Sequence, residues 1–138
     1  MAGSLSADEV ARVAEFRSSL RRFLRRAEQN ARRAGLTPQR YLLLLMIKGA
    51  PDHSEQSTVT ELADRLQLAQ STVTELVRRA EETGLVERER SSLDGRIAHL
   101  RLTEEGERRL AVAFMSNENE RQALLDAFEH LEGRLPAA

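Results

Sequence analysis

The stretch 58–103, TVTELADRLQLAQSTVTELVRRAEETGLVERERSSLDGRIAHLRLT, decides the fold because its hydrophobic period changes part-way along. Thr58 and Glu61 have the spacing of a capping box and precede apolar residues at helical spacing, which predicts a short helix of about two turns. A tight connection at 68–69 leads to a second helix over 70–83, which Gly84 ends. Two helices joined by so short a connection indicate a helix-turn-helix.

The second half of this stretch is typical of a β-hairpin. Residues 85–90 are strand-like, and 97–102 alternate apolar and polar side chains as a half-buried strand does. Turn-forming residues ending in Asp94-Gly95 lie between them. Helix, tight turn, helix and hairpin together predict a winged helix-turn-helix, in which the second helix enters the major groove of DNA.

The outer face of that second helix and the hairpin supply the candidate DNA contacts. Hydroxyl, amide and guanidinium groups donate to phosphates and to base edges. A basic hairpin tip can reach a narrow minor groove, and Asp94 would hold Arg96 by a charge-assisted hydrogen bond. The predicted DNA-binding residues are Gln70, Ser71, Thr72, Thr74, Arg78, Arg90, Asp94 and Arg96.

Helices are predicted on both sides of this lobe. The expected fold is mainly α with a small β-hairpin wing, as one domain over 1–138 with a DNA-binding lobe at 36–103. Terminal helices occupy 6–34 and 104–135, with a break near Asn117, and a polar loop is expected over 50–57. Residues 8–34 carry eight arginines against four acids and 104–138 carry four against eight, so the terminal helices have opposite charge and can pack together.

Composition excludes several classes of function. The chain has no cysteine, so disulfides, thiolate-bound zinc and thiol redox sensing are not available to it. No phosphate-binding glycine loop or nucleophile motif is present, and His53, His99 and His130 are not spaced as metal ligands. We therefore expect neither an enzyme, nor a cofactor, nor a metal site. Without an apolar signal or a run long enough to span a membrane, a cytoplasmic location is expected.

At this point the sequence resembles the MarR-type transcriptional regulators. The resemblance is carried by 61–63, 71–74, 84–88, 94–103 and 105–106, and above all by the wing pattern Asp-x-Arg followed by Leu-x-Leu-Thr. Three positions depart from the family pattern, one of which is Ala80, where a larger apolar residue is usual. Ala69 stands where a capping side chain is usual, and Glu75 stands on the recognition face, where a carboxylate would repel phosphate or accept from a cytosine amino group.

The resemblance implies a homodimer whose first and last helices intertwine, and which binds a palindromic operator in double-stranded DNA, commonly as a repressor. It also implies release by a small, often phenolic, ligand. Phe16, Arg17, Arg40 and Tyr41 are the candidate ligand-binding residues, because an apolar pocket with cationic groups suits an aromatic acid. The alternative is a winged helix that binds proteins and not DNA, which the net charge of −1 and Glu75 favour.

Overall fold

The structure, a computed structural model, describes residues 3–90, 93 and 95–133. These residues form six helices and three strands. In chain order they are α1 (Ala7–Arg33), α2 (Pro38–Lys48), β1 (Gln56–Ser57), α3 (Val59–Leu66), α4 (Gln70–Glu82), β2 (Val86–Arg90), β3 (Ala98–Leu102), α5 (Glu104–Ser116) and α6 (Glu118–Leu131). None of the described helices combines the length and the apolar character needed to cross a membrane.

Side-chain caps mark the starts of four of the described helices, including the cap at Thr58 that the sequence predicts. A hydroxyl accepts from the backbone N–H three residues later at the starts of α1, α2, α3 and α5, where the N-caps are Ser6, Thr37, Thr58 and Thr103. The capping box at α3 is complete, with Glu61 Oε1 accepting from the Thr58 N–H at 3.0 Å. At α4 the N-cap is Ala69, which provides no side-chain cap. Such caps satisfy N–H groups that a helix leaves without an internal partner.

The three strands form an antiparallel sheet in the order β1-β3-β2. The hairpin register pairs Val86 with Leu102 and Arg90 with Ala98. The expectation of an irregular loop over 50–57 is wrong at its end, because Gln56 and Ser57 pair with the other edge of β3. A strand of two residues is too short to produce the alternation by which strands are recognised in a sequence.

The core lies among α2, α3, α4 and the sheet. Leu43, Leu44 and Ile47 of α2 are fully buried, in agreement with the almost continuously apolar sequence of that helix. Val73 and Val77 of α4 are also fully buried and form one cluster with α2. This packing fixes which face of α4 is turned to the core and therefore which face is left to solvent.

The oppositely charged terminal helices pack against each other within the chain. The rings of Phe16 and Phe128 meet edge to face, with their centroids 6.2 Å apart. Nearer the C-terminal end of α1, Arg26 Nε lies 3.7 Å from Glu120 Oε1. The order of these contacts along each helix shows that α1 and α6 run antiparallel.

A buried chain of polar side chains joins the terminal helices to the lobe. Asn117 separates α5 from α6 and is only 1% exposed. Its Oδ1 accepts from Asn30 Nδ2 of α1 at 2.7 Å, and its Nδ2 donates to the hydroxyl of Tyr41 of α2 at 3.2 Å. Asn30 Nδ2 also donates to the carbonyl of Ser116 at 3.2 Å. Asn117 thus ties the junction of α5 and α6 to α1 and α2, whose contacting residues lie 87 and 76 positions earlier in the sequence.

The junction between the sheet and α5 requires a glycine at position 106. The Thr103 N–H donates to the carbonyl of Leu85 at 3.0 Å, and the Thr103 hydroxyl donates to the carbonyl of Gly84 at 2.6 Å. A Cβ on Gly106 would lie 2.1 Å from that Leu85 oxygen. Only a residue without a side chain allows α5 to start so close to the beginning of β2.

We expect Gly106→Ala to lower the free energy of unfolding by about 3 kcal/mol, because backbone must move to admit the new methyl group. Gly95→Ala is the matched control, since a Cβ at Gly95 has nothing within 4 Å. Urea unfolding at one protein concentration measures both variants. Equal midpoints for the two would contradict the close approach.

We expect Asn117→Ala to lower the free energy of unfolding by about 2 kcal/mol, because it leaves the buried amide of Asn30 without its side-chain partner. Asn119→Ala is the control, because Asn119 is exposed on the first turn of α6. Thermal unfolding followed by circular dichroism compares the two. A loss as small for Asn117→Ala as for the control would show that the buried amide chain contributes little.

Candidate nucleic-acid interface

Helices α3 and α4 form the predicted helix-turn-helix. Gln67 takes the left-handed conformation with φ of 56°, and the Leu68 N–H donates to the carbonyl of Ala63 at 3.1 Å. These features close the turn, so that α4 begins three residues after Gln67. Ala63 is 8% exposed, as expected for a small side chain in the core of this motif.

The first turns of α4 present short polar side chains to solvent. Val73 and Val77 face the core, and Leu76 packs beside them, so the opposite side of the helix is turned to solvent. All four predicted contacts in this part are exposed, namely Gln70, Ser71, Thr72 and Thr74. The structure therefore brings these residues together on one accessible surface.

Further along α4, the predicted contact Arg78 is part of an ion cluster that we define as Glu75, Arg78, Arg79 and Glu82. Arg78 donates to both carboxylate oxygens of Glu75, at 2.9 Å from Nε and 2.5 Å from Nη2. It also pairs with Glu82. Arg79 Nε donates to Glu75 Oε1 at 3.1 Å.

The pKa values of the ion cluster reflect this geometry. The hydrogen bonds from Arg78, and then from Arg79, lower the pKa of the Glu75 carboxyl group to about 2. The hydrogen bond to Glu75 in turn raises the pKa of Arg78. Both groups are therefore charged at neutral pH. The positive charge of Arg78 is offset by the carboxylates of Glu75 and Glu82, which belong to the same helix.

Strands β2 and β3 form the wing. Arg90 Nη1 donates to the carbonyl of Gly95 at 2.6 Å, so this predicted DNA contact braces the hairpin. Arg96 is exposed beside Gly95. Asp94 lies outside the described residues, and its hydrogen bond with Arg96 stays a prediction.

Other arginines of the lobe are also engaged within the chain. Arg88 Nε of β2 donates to Glu81 of α4 at 3.0 Å, and Arg101 Nη1 lies 3.5 Å from Glu89 Oε2. Arg65 has a structural role, because its guanidinium donates to the carbonyl of Met46 at 2.7 Å. Acidic side chains thus balance much of the positive charge around α4 and the wing.

The candidate ligand-binding residues do not meet in one pocket. Phe16 packs on α6, and Arg17 follows it on the exposed surface of α1. Tyr41 is buried at the hydrogen-bond chain near Asn30, which lies about 21 Å further along α1 than Phe16 at 1.5 Å per residue. Arg40 is half-buried at the start of α2.

Within the described residues, no group of three or more His, Asp or Glu side chains is placed to hold a metal ion.

Sequence reasoning missed the roles of four residues, namely Asn30, Asn117, Glu75 and Glu82. Asn117 was recognised only as a helix break, and nothing in the sequence links it to Asn30. Glu75 was recognised as an unusual residue on the recognition face, but not as a partner of the arginines. The signal was present, because Glu75 stands three and four residues before Arg78 and Arg79, and Glu82 stands four after Arg78.

Comparison with known proteins agrees with this geometry. Residues 34–97, which include α2, α3, α4 and the start of the wing, match the model of the MarR family. The matched residues are a little under half of the chain, so it is this lobe that is similar to the MarR family. No protein with curated annotation matches the sequence.

Solved structures share the fold of this chain over most of its length. AbsC, a MarR family transcriptional regulator from Streptomyces coelicolor, has a TM-score of 0.70 at 21% identity, covering 91% of this chain and 84% of that one. A variant of MepR from S. aureus bound to an oligodeoxyribonucleotide has a TM-score of 0.66 at 22% identity, with coverages of 80% and 79%. Overoxidised AbfR bound to DNA has a TM-score of 0.59 at 27% identity, with coverages of 82% and 81%. The MarR-type fold therefore extends over the terminal helices as well as the matched lobe.

Proposed function

We propose that this protein is a MarR-type, sequence-specific regulator of transcription that binds double-stranded DNA as a homodimer and represses by occupying a palindromic operator. The observation that carries the proposal is the exposed polar start of α4 beside a wing that presents Arg96. The MepR variant and AbfR, which are similar in fold, are DNA-bound in their structures. A regulator of this kind would act in the cytoplasm.

The start of α4 suits contact with the DNA backbone. Because Ala69 provides no side-chain cap, the first N–H groups of α4 keep their capacity to donate to a phosphate, which the helix dipole also favours. Ser71 and Thr72 add hydroxyl donors beside them. Gln70 and Thr74 would meet base edges once the helix lies in the major groove.

A second copy of the chain would cover the apolar surface that the terminal helices leave exposed. Val10, Val13 and Leu24 lie along one stripe of α1, because separations of three and eleven residues are about one and three helical turns. Met115 of α5 is 72% exposed and Leu125 of α6 is 50% exposed. Large apolar side chains on three neighbouring helices favour a subunit interface over a solvated surface.

The two-fold symmetry of such a dimer would place two copies of α4 in successive major grooves, about one helical turn of DNA apart. The wings would then lie over the flanking minor grooves. Release by a small aromatic ligand stays a prediction for Phe16, Arg17, Arg40 and Tyr41. Because these residues are not adjacent within one chain, such a site would need side chains of the second subunit.

We expect the protein to retain duplexes from a random-sequence pool at 50 mM salt, and to lose affinity steeply as salt rises, because DNA binding releases counterions. Arg96→Ala should weaken binding roughly tenfold without unfolding the protein, since Arg96 is exposed on the wing. Fluorescence anisotropy across a salt titration measures both effects. Absence of any retained duplex would reject DNA binding and favour the protein-interaction alternative.

We expect sedimentation to give a dimer at micromolar concentration. The double variant Met115→Glu, Leu125→Glu should shift the protein towards monomer, because it places charge in the apolar surface of α5 and α6. Leu93→Glu is the control, because Leu93 is 98% exposed on the wing, away from the terminal helices. A monomeric wild-type protein would reject this interface. So would an equal shift towards monomer in the double variant and in the Leu93→Glu control.

A further inference from the structure

The face of α4 that is turned away from the core carries alternating charges. At about 100° per residue, Glu75 and Glu82 lie roughly 200° and 180° around the helix from the fully buried Val73. Both carboxylates are therefore close to the centre of the face that would enter the major groove. The helix contains two arginines and three glutamates, which is an unusual balance for a surface that meets DNA.

The hydrogen bonds show how this balance is organised. Glu75 accepts from both Arg78 and Arg79, and Arg78 also contacts Glu82, so both arginines of the helix are held by carboxylates of the same helix. The side chains concerned are between 46% and 60% exposed. They are thus accessible to a DNA phosphate, which would have to compete with a bidentate contact that is already formed.

We infer that Glu75 is an internal competitor of DNA, which clamps Arg78 and Arg79 and thereby sets the affinity and the salt dependence of operator binding. This inference rests on the proposed function and deepens it. When the operator binds, Arg78 and Arg79 leave Glu75 for acceptors on the DNA, and Glu75 loses its partners close to the phosphate backbone. The net release of counterions is therefore smaller than the number of arginines at the interface would give.

A consequence for sequence recognition follows from the same geometry. We call the hydrogen bonds from Arg78 and Arg79 to Glu75 the clamp. Breaking the clamp costs free energy, which is recovered only where Arg78 finds a strong acceptor, such as the O6 and N7 atoms of guanine. On non-specific DNA the clamp stays closed, so Arg78 and Arg79 are not available to the nearby phosphates. Glu75 thus weakens binding to all DNA but weakens non-specific binding most, which makes it a specificity-determining residue.

The test compares Glu75→Gln with Glu28→Gln. Both substitutions remove one negative charge, but Glu28 is exposed on α1, outside the lobe that contains α4. The probe is a duplex that the wild-type protein enriches from a random-sequence pool, together with an unrelated duplex of equal length. We expect Glu75→Gln to bind the enriched duplex roughly tenfold more tightly and the unrelated duplex with a still larger gain. The slope of log affinity against log salt should steepen by up to about 0.9 for each arginine released, while Glu28→Gln leaves it unchanged.

A double-mutant comparison separates the clamp from simple repulsion. In the Arg78→Gln, Arg79→Gln background the carboxylate has no arginine to hold, so the gain from Glu75→Gln should fall to a small fraction of its wild-type value. An undiminished gain in that background would overturn the clamp. Weaker binding by Glu75→Gln would overturn it too, and would show that Glu75 reads a base directly.

The outcomes also separate this inference from the proposed function. If neither the wild-type protein nor Glu75→Gln enriches any duplex at 50 mM salt, DNA binding itself is wrong. If the wild-type protein enriches a duplex and Glu75→Gln behaves like Glu28→Gln, the function stands and the clamp is wrong. Thermal unfolding of each variant confirms that the compared proteins are folded.

Discussion

The buried hydrogen bonds of Asn117 are the constraint on which the arrangement of this protein depends. Asn117 ends α5 and begins α6, so its position decides where the chain turns back along α1. Its partners, Asn30 and Tyr41, belong to the long terminal helix and to the central helix of the lobe. Since these polar atoms are shielded from water, they specify one arrangement of the three helices and penalise others. The orientation of the DNA-binding lobe relative to the proposed dimer surface follows from it.

A second constraint is electrostatic. The chain has a net charge of −1. Around α4, each arginine in the hydrogen bonds described above contacts a glutamate. Glu75 holds two arginines, and Glu81 of the same helix holds Arg88 of the wing. Such pairs contribute little to the free energy of folding when they are exposed. They do determine which charges are available to DNA, so the same side chains that reduce affinity can improve discrimination between sequences.

Sequence reasoning captured the features that depend on neighbours in the chain. Thr58 caps a helix where predicted, and the change of period after Gly84 marks the hairpin, because caps, turns and side-chain periodicity are local properties. Features that depend on distant residues were missed. Asn117 and Asn30 are 87 positions apart, and β1 becomes a strand only because Ser57 meets Leu100. The ion cluster was local, but its meaning depended on which face of α4 the core would cover.

Hydroxyl-radical footprinting on a duplex enriched from a random-sequence pool tests most directly whether the protein binds DNA as a two-fold symmetric dimer. Two α4 helices and two wings require a protection pattern with two-fold symmetry. We expect two half-sites whose centres lie about one helical turn apart, each flanked by a protected minor groove. A single protected half-site, or no protection at a concentration that saturates binding, would contradict the proposed mode of DNA recognition.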